Sequence, residues 1–242
     1  MADIDFTDAL LAAARPDHDW TDPFVESVLS GQLSRDAIRR YATALVAIAG
    51  GFPRRIAQIL SICDVAAIRE LLIANLLEEE GVVGWDASSG LRVDPERRHS
   101  TLARRFARAA GASDADIDAS IAASRSSRWF ESAIERGDWI GAFAYVSVGH
   151  EANVPGTFKQ LVPPLGDRYG FSLEDLIFLT EHSLADERHG NDAAHLIASV
   201  AHTGEARLAA LEGARRGGSA WRAWPRTSIS SISMTPRTPV PA

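Results

Sequence analysis

The stretch over positions 182–189 reads HSLADERH and lies inside a segment, 173–202, whose apolar residues recur with helical spacing. At about 100° per residue, Asp186 lies about 40° from His182 around the helix and His189 about 20° on the other side, so the three share one face. The two histidines are about 10 Å apart along the axis. That is too far for one metal ion but suits two ions about 3.5–4 Å apart, with the aspartate between them. The spacing indicates a dinuclear metal site.

A solvated surface helix is the alternative interpretation of this stretch, because EHSLADERHGND is highly polar. Several apolar residues nevertheless lie near the same face and favour an inward orientation: Leu176, Ile177, Leu179 and Leu184. Burying an imidazole and carboxylate trio without partners is costly. The helix alone therefore favours metal binding over solvation.

A second helix, predicted over 65–83, carries the acidic run LLEEEG, which includes Glu79. Asp86 follows seven residues later, nearly two turns on, and shares the face of Glu79 if the helix persists that far. Gly, Ser and Pro punctuate the segment 84–97, where the helix can loosen. His99 is the competing ligand if this segment folds back.

A third carboxylate, Glu151, stands in the apolar sequence YVSVGHEANVP, inside a predicted helix over 126–161 that bends near Pro155. A buried carboxylate needs a cation or hydrogen bonds. Its neighbour His150 points about 100° away and is interpreted as a packing residue or a support for the ligands.

Together these helices offer oxygen-rich ligands completed by nitrogen, which suit iron or manganese better than zinc. The candidate metal ligands are Glu79, Asp86, Glu151, His182, Asp186 and His189. All of them except Asp86 are also candidate catalytic residues.

The wider pattern predicts one all-helical domain over 1–216 and a disordered tail rich in Ser, Thr and Pro over 217–242. Ser34 can cap a long helix that kinks around Pro53. A loop is expected over 163–166, where two prolines precede a glycine.

Composition narrows the class of protein. The chain has 242 residues, is 46% hydrophobic and has a formal net charge of −7 with interspersed charges, which does not fit a nucleic-acid binder. A single cysteine, Cys63, excludes a disulfide framework and fits a reducing compartment. There is no basic leader, and no apolar run approaches the roughly 20 residues that span a bilayer. We therefore expect a cytoplasmic protein that does not bind membranes.

Over residues 18–200 the chain resembles the haem-oxygenase-like di-iron oxidases and oxygenases, in the superfamily of thiaminase II and pyrroloquinoline quinone synthase. The resemblance rests on HDWTDPFVESVLSGQLSRDAIRRYATALVAIAGGFPRRIAQIL, on NLLEEEG, on HEANVP and on HSLADERH. It implies a seven-helix bundle, often a homodimer, and two irons that activate O2. The family's ligands fall on the six residues named above, although the second of them varies within the family.

The resemblance further implies that the protein is an enzyme of a natural-product pathway. We expect N-oxygenation of a small amine or amino-acid-like metabolite to a hydroxylamine or nitro group, with an external electron donor as a possible partner. Oxidative C–C cleavage of a fatty or amino acid is the alternative. Four cations could bind a substrate carboxylate: Arg54, Arg55, Arg128 and Lys159.

Other classes stay open. Thiaminase-type hydrolysis needs a cysteine nucleophile beside a base, whereas Cys63 stands in an apolar context typical of core packing. A cofactor-free quinone-synthase-like oxidase does not need the full carboxylate set. A non-catalytic helical interaction protein is a further alternative, but it would not explain why His and Asp side chains face the interior of the bundle.

Overall fold

The computed structural model describes residues 2–15 and 23–229, without the side chains of 2–5, 23, 184–188 and 225–229. The first half contains, in order, α1 (Ala2–Ala14), α2 (Pro23–Leu29), α3 (Arg35–Ile62), α4 (Ala66–Glu79), β1 (Val82–Asp86), β2 (Gly90–Val93) and α5 (His99–Ala109). The second contains α6 (Asp114–Ala123), α7 (Arg128–Glu135), α8 (Trp139–Phe143), α9 (Val154–Tyr169), α10 (Ile177–Val200) and α11 (Gly204–Ile229). The all-helical prediction is confirmed, with eleven α-helical segments in the described part of the chain instead of seven.

The longest helix, α3, begins where the sequence predicts it. The Ser34 side chain accepts a hydrogen bond from the backbone N–H of Ala37, and the helix continues through Pro53 to Ile62. By length and composition alone α3 could cross a membrane. It carries a long row of buried residues, and it packs against α5 and α6 in the domain core.

A β-hairpin interrupts the helices between α4 and α5. The chain leaves α4 at Glu79 and turns at Gly81, which has a φ of +70° and lies so close to the Asp94 carbonyl that a Cβ atom would collide with it. Strands β1 and β2 then pair antiparallel. The helix predicted to reach residue 83 therefore ends at Glu79, and the segment after it folds back.

A π-helical segment, Ala144–His150, links α8 to a short 3-10 turn, Glu151–Asn153, and to α9. Such wide turns are rare and recur at functional sites. Helix α9 then continues through Pro163 and Pro164 to Tyr169, so the loop predicted over 163–166 is wrong. Burial of Pro164 with its helical neighbours offsets the local cost of proline, about 3 kcal/mol.

Helix α11 extends well past the predicted domain boundary. It runs to Ile229, so the tail predicted over 217–242 is wrong at 217–229; residues 230–242 lie outside the described residues. Trp221 is buried in the core and its ring centre lies 6.0 Å from that of Phe158. The Ser-, Thr- and Pro-rich composition concealed this apolar anchor.

Candidate metal site

A cavity of about 50 Å³ lies between α3, α4, α5, α9, α10, α11 and the π-helical segment. Half of its lining is apolar, including Phe52, Phe158 and Phe178. Trp221 completes this apolar half. The other half is polar and consists mainly of carboxylates and imidazoles: Asn75, Glu78, Glu79, His99, His150, Glu151, His182 and His189. Charged and imidazole side chains concentrated in an otherwise apolar cavity are typical of a binding or catalytic site.

Glu79, His99 and His182 form a compact cluster in this cavity. One ligand atom from each lies within 4.8 Å of the others. The Nδ1 atom of His99 lies 2.8 Å from the Oε1 atom of Glu79, and both side chains are about one-tenth exposed. Three helices, α4, α5 and α10, thus bring together three groups that can each donate a lone pair to one cation.

His182 is held in one orientation by its own helix. Its Nδ1 atom lies 2.7 Å from the carbonyl oxygen of Phe178, one turn earlier in α10. Because a carbonyl oxygen only accepts, the proton of the neutral ring is on Nδ1, and Nε2 keeps its lone pair. In most metal-binding histidines, the ring nitrogen that does not bind the metal donates a hydrogen bond of this kind, which orients the ring.

Glu151 and His189 extend the cluster along the cavity. Glu151 begins the 3-10 turn directly after the π-helical segment and is only 6% exposed. The Nε2 atom of His189 lies 3.8 Å from the Oε2 atom of Glu78, which is half-exposed. Sequence reasoning missed Glu78, although its place in the run LLEEEG, one residue before Glu79, could have indicated it.

Four of the six predicted ligands line the one cavity: Glu79, Glu151, His182 and His189. Asp86 does not, so its prediction as a ligand is wrong. Because α4 ends at Glu79, Asp86 lies in β1 and accepts hydrogen bonds from Ser88 and Ser89 across the hairpin turn. These bonds lower the pKa of its carboxyl to about 2. The competing candidate, His99, occupies the cavity instead, and the side chain of Asp186 lies outside the described residues.

Arg55 lies on α3, one helical turn after Phe52, which lines the cavity. Burial lowers the pKa of Arg55, while nearby Tyr145 and Glu79 act in the opposite direction. Burial, followed by the charge of Arg55, lowers the pKa of His150 to about 3, so its imidazole is neutral at pH 7. The rings of His150 and Tyr145 lie 4.8 Å apart.

These features define a class: a helical bundle whose interior presents carboxylates and imidazoles suited to hard or borderline cations such as iron. Residues 39–222 match the model of a family described as iron-containing redox enzymes. The chain belongs to this haem oxygenase-like family of iron-containing redox enzymes.

The chain is similar to two curated proteins named 4-aminobenzoate synthase. It is 27% identical to the protein from Chlamydia muridarum, over 80% of this chain and 78% of the relative. It is 25% identical to the protein from Chlamydia trachomatis, over 80% of each chain.

Two solved structures share the fold at low identity. A domain of unknown function with a heme oxygenase-like fold from Shewanella denitrificans matches with a TM-score of 0.62 and 16% identity, covering 95% of this chain and 89% of the other. A TenA homologue from Pseudomonas syringae matches with a TM-score of 0.67 and 12% identity, covering 94% and 91%. The haem-oxygenase-like fold predicted from the sequence is confirmed.

Proposed function

We propose that this protein is a non-haem di-iron oxygenase that uses O2 to oxidise a small amine. The observation that carries the proposal is the cluster of Glu79, His99 and His182, whose ligand atoms lie within 4.8 Å of one another in a cavity that Glu151 and His189 also line. This cluster offers both oxygen and nitrogen donors, as iron centres require.

The donor set divides naturally between two ions. Glu79, His99 and His182 would hold one iron, and Glu151 and His189 would hold the second. Asp186 belongs to the proposal on its helical spacing alone. When bound, the irons would supply the O2-reducing chemistry that amino-acid side chains lack. The chain's own residues fix the ligands and enclose the reacting groups in a cavity whose other wall is apolar.

Oxidation at nitrogen is the reaction we favour. Conversion of an amine to a hydroxylamine inserts one atom of O2 into an N–H bond and reduces the other to water, which takes two electrons and two protons from an external donor. The relatives named 4-aminobenzoate synthase make a compound that carries an aromatic amine, which supports nitrogen chemistry at this site.

Iron stoichiometry and isotope incorporation test the proposal. Metal-free protein is loaded with Fe(II) without O2, the bound iron is counted, and O2 is then admitted while visible absorbance is followed. We expect about two irons per chain and a transient absorption band. With 18O2, a reductant and a panel of small amines, mass spectrometry is expected to detect one product that is heavier by a single 18O atom.

Glu151→Ala serves as the loss-of-function variant, and Asp86→Ala serves as the control because Asp86 is exposed on the hairpin. We expect the first to lose the second iron and oxygen incorporation, and the second to retain both. Full activity without bound iron, or in a folded Glu151→Ala variant, would refute the proposal and favour a cofactor-free oxidase.

A further inference from the structure

Arg55 differs from every other cation that the sequence offers for substrate binding. Arg54, Arg128 and Lys159 are exposed, as is usual for such side chains. Arg55 is only partly exposed to solvent, and burial is the main cause that lowers the pKa of its guanidinium. Within the described ranges it makes no hydrogen bond or ion pair with a carboxylate. A partly buried guanidinium that meets no acceptor within the protein has N–H donors that a bound ligand can use.

A glycine on α3 leaves space for this guanidinium. Gly51 lies one helical turn before Arg55, and a Cβ atom there would stand only 3.2 Å from the Nη2 atom of Arg55. Beyond the effect of burial, the charge of Arg55 lowers the pKa of His150, and Glu79 opposes the lowering of the pKa of Arg55 by burial; both His150 and Glu79 line the cavity. Arg55 also follows Phe52, a residue of the cavity wall, by one helical turn, so the two side chains share a face of α3.

Other polar groups near Arg55 also lack protein partners. The Nε2 atom of His150 and the Oε1 atom of Gln58, one turn after Arg55 on α3, are buried without a hydrogen-bond partner among the described residues. Buried polar atoms in folded proteins are nearly always paired with protein, water or ligand. These two atoms, one on the π-helical segment and one on α3, can each form a hydrogen bond with a polar ligand group.

We propose that Arg55 binds the carboxylate of the substrate, so that the substrate class is a small molecule carrying both a carboxylate and an amine. The guanidinium is the side chain best suited to this role, because its fork of N–H donors matches the two oxygens of a carboxylate. Anchoring one end of the molecule at Arg55 holds the other end in the cavity near Glu79 and His182. The inference rests on the proposed function for the identity of the reacting amine, but the binding of the carboxylate does not depend on iron.

The first test measures binding by calorimetry, in the absence of O2, on metal-free protein and on protein loaded with redox-inert Zn(II). The probes are benzoate and 4-aminobenzoate, with benzamide and aniline as neutral controls that lack the carboxylate. We expect the two carboxylates to bind the wild-type protein and Arg55→Gln to weaken that binding at least about tenfold. Arg54→Gln is the matched control, since its side chain is adjacent and exposed, and it should bind as the wild type does.

Arg55→Lys keeps the positive charge and addresses the case in which Arg55→Gln does not fold. We expect it to bind the carboxylates more weakly than wild type, because an ammonium lacks the bidentate geometry. Equal affinity in wild type and Arg55→Gln, or no carboxylate binding to wild type in either metal state, overturns the proposal. Binding that requires Zn(II) and ignores Arg55 would place the carboxylate on the metal and overturn it as well.

A second measurement uses the wild-type protein alone. Phenylglyoxal modifies accessible arginines, and fragmentation mass spectrometry distinguishes Arg54 from Arg55. We expect 4-aminobenzoate to slow the modification of Arg55 and to leave that of Arg54 unchanged; no protection of Arg55 would overturn the proposal. Because neither measurement involves iron oxidation, a failure of the iron chemistry with intact carboxylate binding would remove the proposed function and leave this site standing.

Discussion

The ring centres of His99 and His182 lie 4.4 Å apart, although His99 begins α5 and His182 lies in α10. The hairpin makes this pairing possible, because it returns the chain to the end of α4 and starts α5 beside Glu79. The length of the segment between Glu79 and the next ligand therefore does not determine where that ligand lies in space.

The first prediction compares His99→Ala with Asp86→Ala. Removal of the His99 imidazole should lower iron affinity by more than about tenfold, since even the loss of an outer partner of a metal ligand costs 10–100-fold. Asp86→Ala should leave affinity unchanged, because its side chain is exposed on the hairpin. Competition with a chromophoric chelator measures both values. Iron loss in Asp86→Ala, with His99→Ala unaffected, would reverse the assignment.

The second prediction concerns the proton on His182. The hydrogen bond from Nδ1 to the Phe178 carbonyl selects the tautomer in which the neutral ring carries its proton on Nδ1. Nitrogen-15 NMR of metal-free protein at pH 8 should show a protonated Nδ1 and an unprotonated Nε2 at this residue. The Nε2 signal alone should move on addition of Zn(II). A proton on Nε2 in the metal-free protein would contradict this geometry.

Periodicity allowed much of the site to be predicted from the sequence. The spacing of His182 and His189 on one helix face, and the unusual Glu151 in an apolar segment, both indicated residues that now line one cavity. Such signals are local, because side chains three, four or seven residues apart on a helix share a face. The same rule failed for Asp86, since it holds only while the helix continues.

The remaining features depend on contacts between distant parts of the chain. Glu79 meets His99 through a hairpin whose turns carry no helical period, and Pro164 stays in a helix because tertiary burial outweighs local preference. Arg55 illustrates the same limit: the sequence offers it as one of four equivalent cations, and only the fold distinguishes it from exposed Arg54.

The third prediction concerns the thiol of Cys63. This residue is 3% exposed, and burial raises the pKa of its thiol. Because the thiolate is the reactive form, raising the pKa leaves less of it at neutral pH. Folded protein at pH 7.5 should react with Ellman's reagent far more slowly than unfolded protein, and the rate should still be rising at pH 9. Rapid reaction of the folded protein would revive a nucleophilic role for Cys63.

The fourth prediction tests whether α11 is anchored in the core, by comparing a buried tryptophan on α11 with an exposed tryptophan on the hairpin. Trp221 is 7% exposed and Trp85, on the hairpin, is 72% exposed. Trp221→Ala should reduce the free energy of unfolding by about 3–5 kcal/mol. Trp85→Ala should change it by less than about 0.5 kcal/mol. Urea denaturation followed by circular dichroism measures both, and similar values for the two variants would contradict the docking of α11.

The fifth prediction concerns Gly217, where α11 approaches the π-helical segment. A Cβ atom there would overlap the carbonyl oxygen of Tyr145 and lie 2.9 Å from the Cα atom of Gly149. Both neighbours are backbone and cannot rotate away, so Gly217→Ala should destabilise the fold by about 1–3 kcal/mol. For a chain of this size each kcal/mol lowers Tm by roughly 2–4 °C.

Gly50→Ala provides the matched control for this change, since nothing lies within 4 Å of the added Cβ and the position is inside α3. Alanine there should raise stability by about 0.5–1 kcal/mol through helix propensity. Because the π-helical segment leads directly into Glu151, Gly217→Ala should also weaken binding of the second iron, whereas Gly50→Ala should not. Calorimetric melting and iron titration measure the two effects, and a Gly217→Ala protein as stable as the wild type would show that α11 and this segment are not in close contact.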